Sequence, residues 1–332
     1  MAPMNDHRPA EGAPDAAETS RSADEHPLTE AILRGLRGSP RTLPSALLYD
    51  DLGSALFEAI TLLPEYELTR ADLRLITDHT FDVLRALPGP LEVVELGPGG
   101  GRKALAFLTA LCARQGAASF TGVDVSAAAL VACGRALEAL PTVTFRAAEA
   151  SYLDGLRASP RVAGARRLVL FFGSNLSNFA RREAVDFLRG VREALAPGDA
   201  LLLATDVGGD PARLLPAYDD ALGVTAAFDR NVLVRLNREW GADFDLAAFA
   251  HRARWDAAAR RIEMHLVATR ACDAAVRGER FHFAEGDTIW TESSHRFDVG
   301  ELRAWGAETG FTCAGQWVDG RWPFAHTLLV AH

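Results

Sequence analysis

Cysteine is scarce: Cys112, Cys133, Cys272 and Cys313 are scattered through 332 residues without C-x-x-C or metal-ligand spacing. That pattern excludes a disulfide framework and a zinc site, so reduced thiols and no metal are the expectation. Basic clusters are also missing. The chain holds 35 basic against 44 acidic residues, a formal charge of −9, and nowhere is positive charge dense enough to follow a phosphate backbone, which argues against nucleic acid as the main partner. No run approaches the roughly 20 apolar residues of a membrane-spanning helix, so no membrane association is expected. The first 27 residues lack the basic start and apolar middle of a signal peptide and are rich in Ala, Pro, Asp, Glu and Ser. This composition predicts a disordered acidic tail on a cytoplasmic protein.

What remains is 48% hydrophobic, enough to bury a large core, and longer than one compact α/β domain. Two domains, a monomer and a small-molecule substrate are expected. The most informative stretch is Leu91-Glu-Val-Val-Glu95-Leu-Gly97-Pro-Gly99-Gly-Gly101-Arg-Lys103. A short apolar strand runs into an acid, Glu95, and three alternately spaced glycines, and a helix-forming run follows. Glycines suit such a turn because a side chain would keep the backbone away from a ligand. A dinucleotide loop requires G-x-G-x-x-G with pyrophosphate on the helix N-terminus. Here the third glycine falls one place early and Arg102 takes the dinucleotide position. E-x-G-x-G-x-G suits S-adenosylmethionine, which has no pyrophosphate, and disfavours an NAD-dependent oxidoreductase.

The next strand, ending Gly122-Val-Asp124, places a carboxylate about 25 residues beyond the glycines, where Rossmann-like folds bind ribose hydroxyls. Asp124 is the ribose candidate, and Ser126 is positioned to cap the Ala-rich helix after it. Strand-like runs recur at 91–96, 120–125, 143–147, 168–172 and 200–205 with helical patterns between them, which predicts a mostly parallel sheet with helices on both faces. The helix over 181–195 has one apolar face. After Asp210-Pro211 the pattern changes: 212–240 reads as helical, 261–268 alternates as a half-buried strand, and a second β run covers 280–290. A helix at 299–309 and two strands, 312–318 and 325–330, close the chain.

Further motifs carry a family resemblance. They are Leu48-Tyr49-Asp50-Asp51-Leu-Gly53-Ser54, Leu63-Pro64-Glu65-Tyr66-x-Leu-Thr69-Arg70, Gly173-Ser174-x-x-x-Asn178, Tyr218-Asp219-Asp220-x-x-Gly223, Glu239-x-Gly241-Ala-Asp243-Phe244, Arg261-Ile-Glu263-Met264-His265-Leu266 and Thr291-Glu292-x-Ser294. From about Leu43 to the C-terminus the chain resembles the ergothioneine-pathway L-histidine Nα-methyltransferases. The resemblance implies an α/β fold: a class I, Rossmann-like methyltransferase domain over 71–207 and 298–332. A second α+β substrate-binding lobe would be made from 28–70 and 208–297.

It implies that Glu95, Gly97, Gly99, Gly101, Lys103, Asp124 and Glu149 serve S-adenosylmethionine. Around Glu149 the sequence departs from the family's usual one. Asn178 and Tyr218 would hold the α-carboxylate, Glu292 and Ser294 the imidazole, and Tyr49, Tyr66 and Met264 would complete the pocket, with Tyr66, Asn178 and Tyr218 at the reacting amine. An amide and a phenol donate to a carboxylate without adding positive charge. The implied reaction is methylation of the histidine α-amine, up to the trimethylated product hercynine. Each residue also has a plainer reading: Asn178 as a helix cap, Glu292 paired with Arg296 or Arg303, Met264 as packing. Relatives that methylate tryptophan or prenylated tryptophan leave an indole substrate as the alternative, followed by a catalytically silent S-adenosylmethionine-binding module. Departures fall at the pocket edge, where the family's glycine before Asn178 is Ser177, its Tyr-Lys-Tyr is His295-Arg296-Phe297, and Glu67 replaces a frequent tyrosine.

Overall fold

The computed structural model describes residues 28–332, so the acidic tail expected over 1–27 lies outside the described residues. A seven-stranded sheet is formed by β1 (Leu91–Leu96), β2 (Ala118–Asp124), β3 (Val143–Glu149), β4 (Arg166–Phe171), β5 (Ala200–Asp206), β6 (Phe311–Val318) and β7 (Phe324–Ala331). Their spatial order is β6-β7-β5-β4-β1-β2-β3. The first five strands are parallel, and β7 runs antiparallel to both β5 and β6. Period-two alternation sends neighbouring residues to opposite faces. Val93, Leu170 and Leu202 join one core layer with Phe107, Leu108 and Leu111 of the helix Arg102–Gln115. Val94, Val169 and Leu201 join the other, with Phe187, Leu188 and Val191 of the helix Arg181–Glu193. Both faces are covered, which is why β1 is buried along its whole length. The chain winds outward from β1 to β3 and then returns to β4 on the other side of β1. This reversal opens a crevice at the carboxyl ends of β1 and β4, the usual ligand position in such sheets.

A second sheet, of four strands, has the order Arg41–Thr42, Thr288–His295, Arg261–Ala268, Phe249–Asp256. The expected β run at 280–290 divides into Glu279–Phe283, paired with Cys272–Val276, and Thr288–His295. The strand Arg261–Ala268 was expected to be half-buried and is buried on both faces. The polar face is covered because Glu263 accepts bonds from Arg254, Arg261 and His265, and the Arg261 guanidinium lies 4.2 Å over the Trp290 ring. The helical region at 212–240 is broken between Pro211–Ala217 and Val224–Glu239. Asp220 makes the break by accepting from the amides of Val224 and Thr225.

The excursion from the large sheet starts and ends at one place. Val207 bridges Phe297, and the Gly208 amide donates to the Phe297 carbonyl at 3.1 Å. The helix Glu67–Ala86 runs unbroken through Arg70 and packs on the helix Arg102–Gln115 and on β7. Among the described residues no helix is long and apolar enough to cross a membrane.

Candidate active site

β1 delivers the glycine segment directly into the crevice. Gly97 (φ +74°) donates its amide to the Val123 carbonyl at 2.7 Å, and a Cβ there would stand 2.9 Å from Asn175 Nδ2 and 3.3 Å from the Tyr152 hydroxyl. Gly101 (φ +76°) leads into the helix Arg102–Gln115, and its Cβ would lie 2.9 Å from the backbone and sulfur of Cys133. The cradle therefore admits backbone only. Beside it lies a cleft of about 320 Å³, lined by Gly97, Gly99 and Asp124 together with Tyr49, Phe57 and Tyr152. A second hollow, of about 220 Å³, continues past Phe57 and Glu58 to Tyr66, Lys103 and Gly173.

Burial shifts the acids around the cradle toward their neutral forms. Burial pushes the Glu95 carboxyl up to about 8 against the pull of Lys103, and neither oxygen has a partner. Burial also raises Asp124, whose carboxylate accepts the Ser126 amide at 3.0 Å. Lys103, the chain's only lysine, stands 3.4 Å from Asp72. Asp72 is fully buried and also accepts from the Gly173 amide at 2.8 Å and from His326 at 2.6 Å. The helix Glu67–Ala86 is thus tied to the segment after β4.

That segment, Gly173–Asn178, carries two amides toward the cleft, Asn175 and Asn178. Ser177 does not intrude where the resembling family has glycine. Its hydroxyl bonds to Ser174 Oγ at 2.6 Å, and Ser174 accepts the Asp206 amide at 2.8 Å, clasping the turn to the end of β5. Asn178 caps no helix. Its amide donates to Glu292 Oε1 at 3.5 Å, and the Tyr49 hydroxyl reaches the same oxygen at 3.2 Å. Glu292 pairs with neither Arg296 nor Arg303 in any bond of the described residues, and burial pushes its carboxyl up to about 8. Behind it, Tyr218 Oη and Ser294 Oγ lie 2.8 Å apart. An aromatic wall of Tyr49, Phe57, Tyr66 and Tyr218 rings joins the two groups, with centroids 5.9 to 6.4 Å apart along it.

Most of the residues singled out in the sequence meet here. Tyr49, Gly97, Gly99, Asp124 and Asn178 line the cleft and Tyr66 and Lys103 line the hollow. Glu292 is joined to them by its bonds with Tyr49 and Asn178, and Tyr218, which carries Ser294 on its hydroxyl, by its ring contact with Tyr66. Met264 is buried and faces Glu292 across the strand pair. Glu149 is exposed at the end of β3, in register with Asp124. His295 stacks on Phe297, and burial pushes its ring down to about 4, so it stays neutral. Residues given no site role in the sequence also form this cleft. Tyr152 and Phe57 supply its wall and Glu58 accepts the Gly100 amide at 3.3 Å, while Arg296 lies buried outside it, against Tyr218. Some motif residues prove structural. Asp50 caps the helix Asp51–Thr61 and accepts from Asn231 and Arg238, locking that helix to Val224–Glu239.

A parallel sheet closed by an antiparallel β7, with a glycine cradle, an unpaired acid and Asp124 at its switch point, defines a class I S-adenosylmethionine-dependent methyltransferase. The chain belongs to the family of S-adenosylmethionine-dependent, histidine-specific methyltransferases, whose model matches residues 28–331. It is 38% identical over 306 residues to a histidine N-alpha-methyltransferase of Mycolicibacterium smegmatis, covering 91% of this chain and 94% of that protein. The Mycobacterium tuberculosis histidine N-alpha-methyltransferase is also 38% identical, over 311 residues with the same coverage. A 4-dimethylallyltryptophan N-methyltransferase of Epichloe festucae var. lolii is 26% identical over 218 residues, 62% of each chain.

Proposed function

We propose that this protein transfers methyl groups from S-adenosylmethionine to the α-amine of L-histidine, in repeated rounds that end at the trimethylated product hercynine, an ergothioneine precursor. The observation that carries the reading is the joining of Tyr49, Asn178 and Glu292 by hydrogen bonds at the cleft, beside the Tyr218–Ser294 pair. This polar set suits an amino acid with an imidazole.

The cradle fits the cofactor. Gly97, Gly99 and Gly101 allow close approach, Asp124 accepts ribose hydroxyls, and Glu95 and Lys103 set the field beneath, with Glu149 as the outer acid beside Asp124. When bound, S-adenosylmethionine supplies an electrophilic methyl group on a sulfonium. Asn178 and Tyr218 hold the α-carboxylate as uncharged donors, so no extra cation opposes the ammonium that forms. Glu292 and Ser294 grip the imidazole, and Met264 packs beneath Glu292. Tyr49 and Tyr66, with Phe57, exclude water and aim the amine. Fixing that geometry is worth up to about 7–11 kcal/mol in favourable cases. Burial raises the Tyr66 phenol well above its ordinary value, so Tyr66 acts as a neutral hydrogen-bonding group and the amine gives its proton to solvent before it is enclosed.

The test is incubation of purified protein with S-adenosylmethionine and a panel of histidine, its mono- and dimethylated forms, tryptophan and tyrosine, followed by mass spectrometry. Trimethylated histidine is expected. Methylation of tryptophan with histidine untouched would overturn the substrate assignment and keep the cofactor site.

A further inference from the structure

Arg296 is among the largest fully buried side chains, 1% exposed, and sits directly behind the two hydroxyls at the back of the site. Its Nη1 donates to Ser294 Oγ at 2.7 Å and its Nη2 to Tyr218 Oη at 3.1 Å. Nη1 also reaches the carbonyls of Ser294 and His295, at 3.3 and 3.2 Å. The carboxylate of Asp206, at the end of β5, balances the charge from 3.4 Å. The Arg296 backbone is held on both sides, its amide donating to the Arg260 carbonyl and its own carbonyl accepting from Arg181.

A guanidinium only donates. Each hydroxyl therefore spends a lone pair on Arg296, and one of the two hydroxyl protons is spent between Tyr218 and Ser294. The pair can turn only one O–H toward a ligand. A cation bonded to the oxygen polarises that O–H and strengthens the bond it gives to an anionic acceptor. Asp206 removes the net charge, so the arrangement sharpens a donor without opposing a substrate ammonium.

We infer that Arg296 is a positioning residue that makes this site select substrates with a free α-carboxylate, by fixing the Tyr218–Ser294 pair as a donor. The inference rests on the proposed amino-acid substrate and goes beyond it, because it assigns selectivity to a residue that does not itself reach the cleft.

The experiment is calorimetric binding of L-histidine and L-histidinol, which carries an alcohol in place of the carboxylate, to the full chain saturated with S-adenosylhomocysteine. The wild type is expected to prefer histidine by about 100-fold, and Arg296→Met to cut that preference to about tenfold or less while histidinol binding changes less than about threefold. Arg296→Lys, which keeps a cationic donor, should restore most of the preference. Equal weakening of both ligands, or an unchanged ratio, would overturn the inference by showing that Arg296 only supports packing. Should the methionine variant not fold by circular dichroism, Arg296→Gln takes its place under the same two readings. If the wild type binds tryptophan and not histidine, the histidine assignment fails by itself, and tryptophan against tryptophanol then tests Arg296 in the same way.

Discussion

The Tyr49 hydroxyl donates to the Glu292 carboxylate at 3.2 Å, joining residues 243 positions apart in the chain. The bond favours the charged carboxylate, but burial outweighs it and, with Asp229 nearby, raises the group from an ordinary 4.5 to about 8. The folded state thus binds a proton between those values that the unfolded chain has released. The stabilisation is complete below about pH 4.5 and lost as pH rises through about 8.

Glu292→Gln should remove this loss. Between pH 5 and pH 9 the variant should gain stability relative to the wild type by up to a few kcal/mol, read from urea unfolding. The slope should be reduced rather than abolished, because Glu95 is also raised to about 8 and contributes with the same sign. At pH 9, where Glu292 is ionised, histidine binding should weaken by about 10- to 100-fold, the value of a hydrogen bond to a charged group. Parallel stability curves for the two proteins would contradict this account of Glu292.

Gly97→Ala tests the cradle. The backbone conformation alone should cost about 1–2 kcal/mol of stability, and the new methyl group would press on Asn175 and Tyr152. Calorimetry should show S-adenosylhomocysteine affinity reduced by tenfold or more on that account (about 1.4 kcal/mol per decade). Retained affinity would mean that the ligand does not approach the backbone at this turn.

His251 predicts a second pH dependence. Its Nδ1 lies 2.7 Å from Asp229 and its Nε2 2.8 Å from the Tyr218 carbonyl, and both partners only accept, so both ring nitrogens carry protons. Burial works against that charge, but the Asp229 bond and charge with the Tyr218 carbonyl prevail and raise the imidazole above 6.5. Its stabilisation is present below pH 6.5 and is lost as pH rises through the folded value. Asp229 also accepts from Thr291, next to Glu292. His251→Gln should therefore flatten the stability profile above pH 6.5 and raise the KM for histidine more than it lowers kcat. Nitrogen NMR of the wild type should show a doubly protonated ring at neutral pH, and a neutral ring there would refute the assignment.

The large sheet was legible because its signals are local. Apolar runs of strand length alternate with amphipathic helices, and Asp124 ends its strand two residues before Ser126, the cap of the next helix. The smaller sheet was less so. Glu263 and His265 read as a solvent face because their cover comes from Arg254, Arg261 and Trp290, and no period in the sequence reports that layer. The substrate end was visible through the family resemblance, since Tyr49, Asn178 and Glu292 lie far apart in the chain. Tyr152 and Glu58 left weaker signals. Tyr152 follows the end of β3 by three residues, a position that strand order turns toward the cleft, whereas Glu58 is one acid on an ordinary helix until the glycine loop is placed beside it.

The bridge between Val207 and Phe297 has a consequence for how such a chain can change. The path from Gly208 to Phe297 leaves and re-enters the large sheet within one hydrogen bond, so its ends need almost no spacing of their own. Segments of other lengths can be seated between the same two residues without altering strand order.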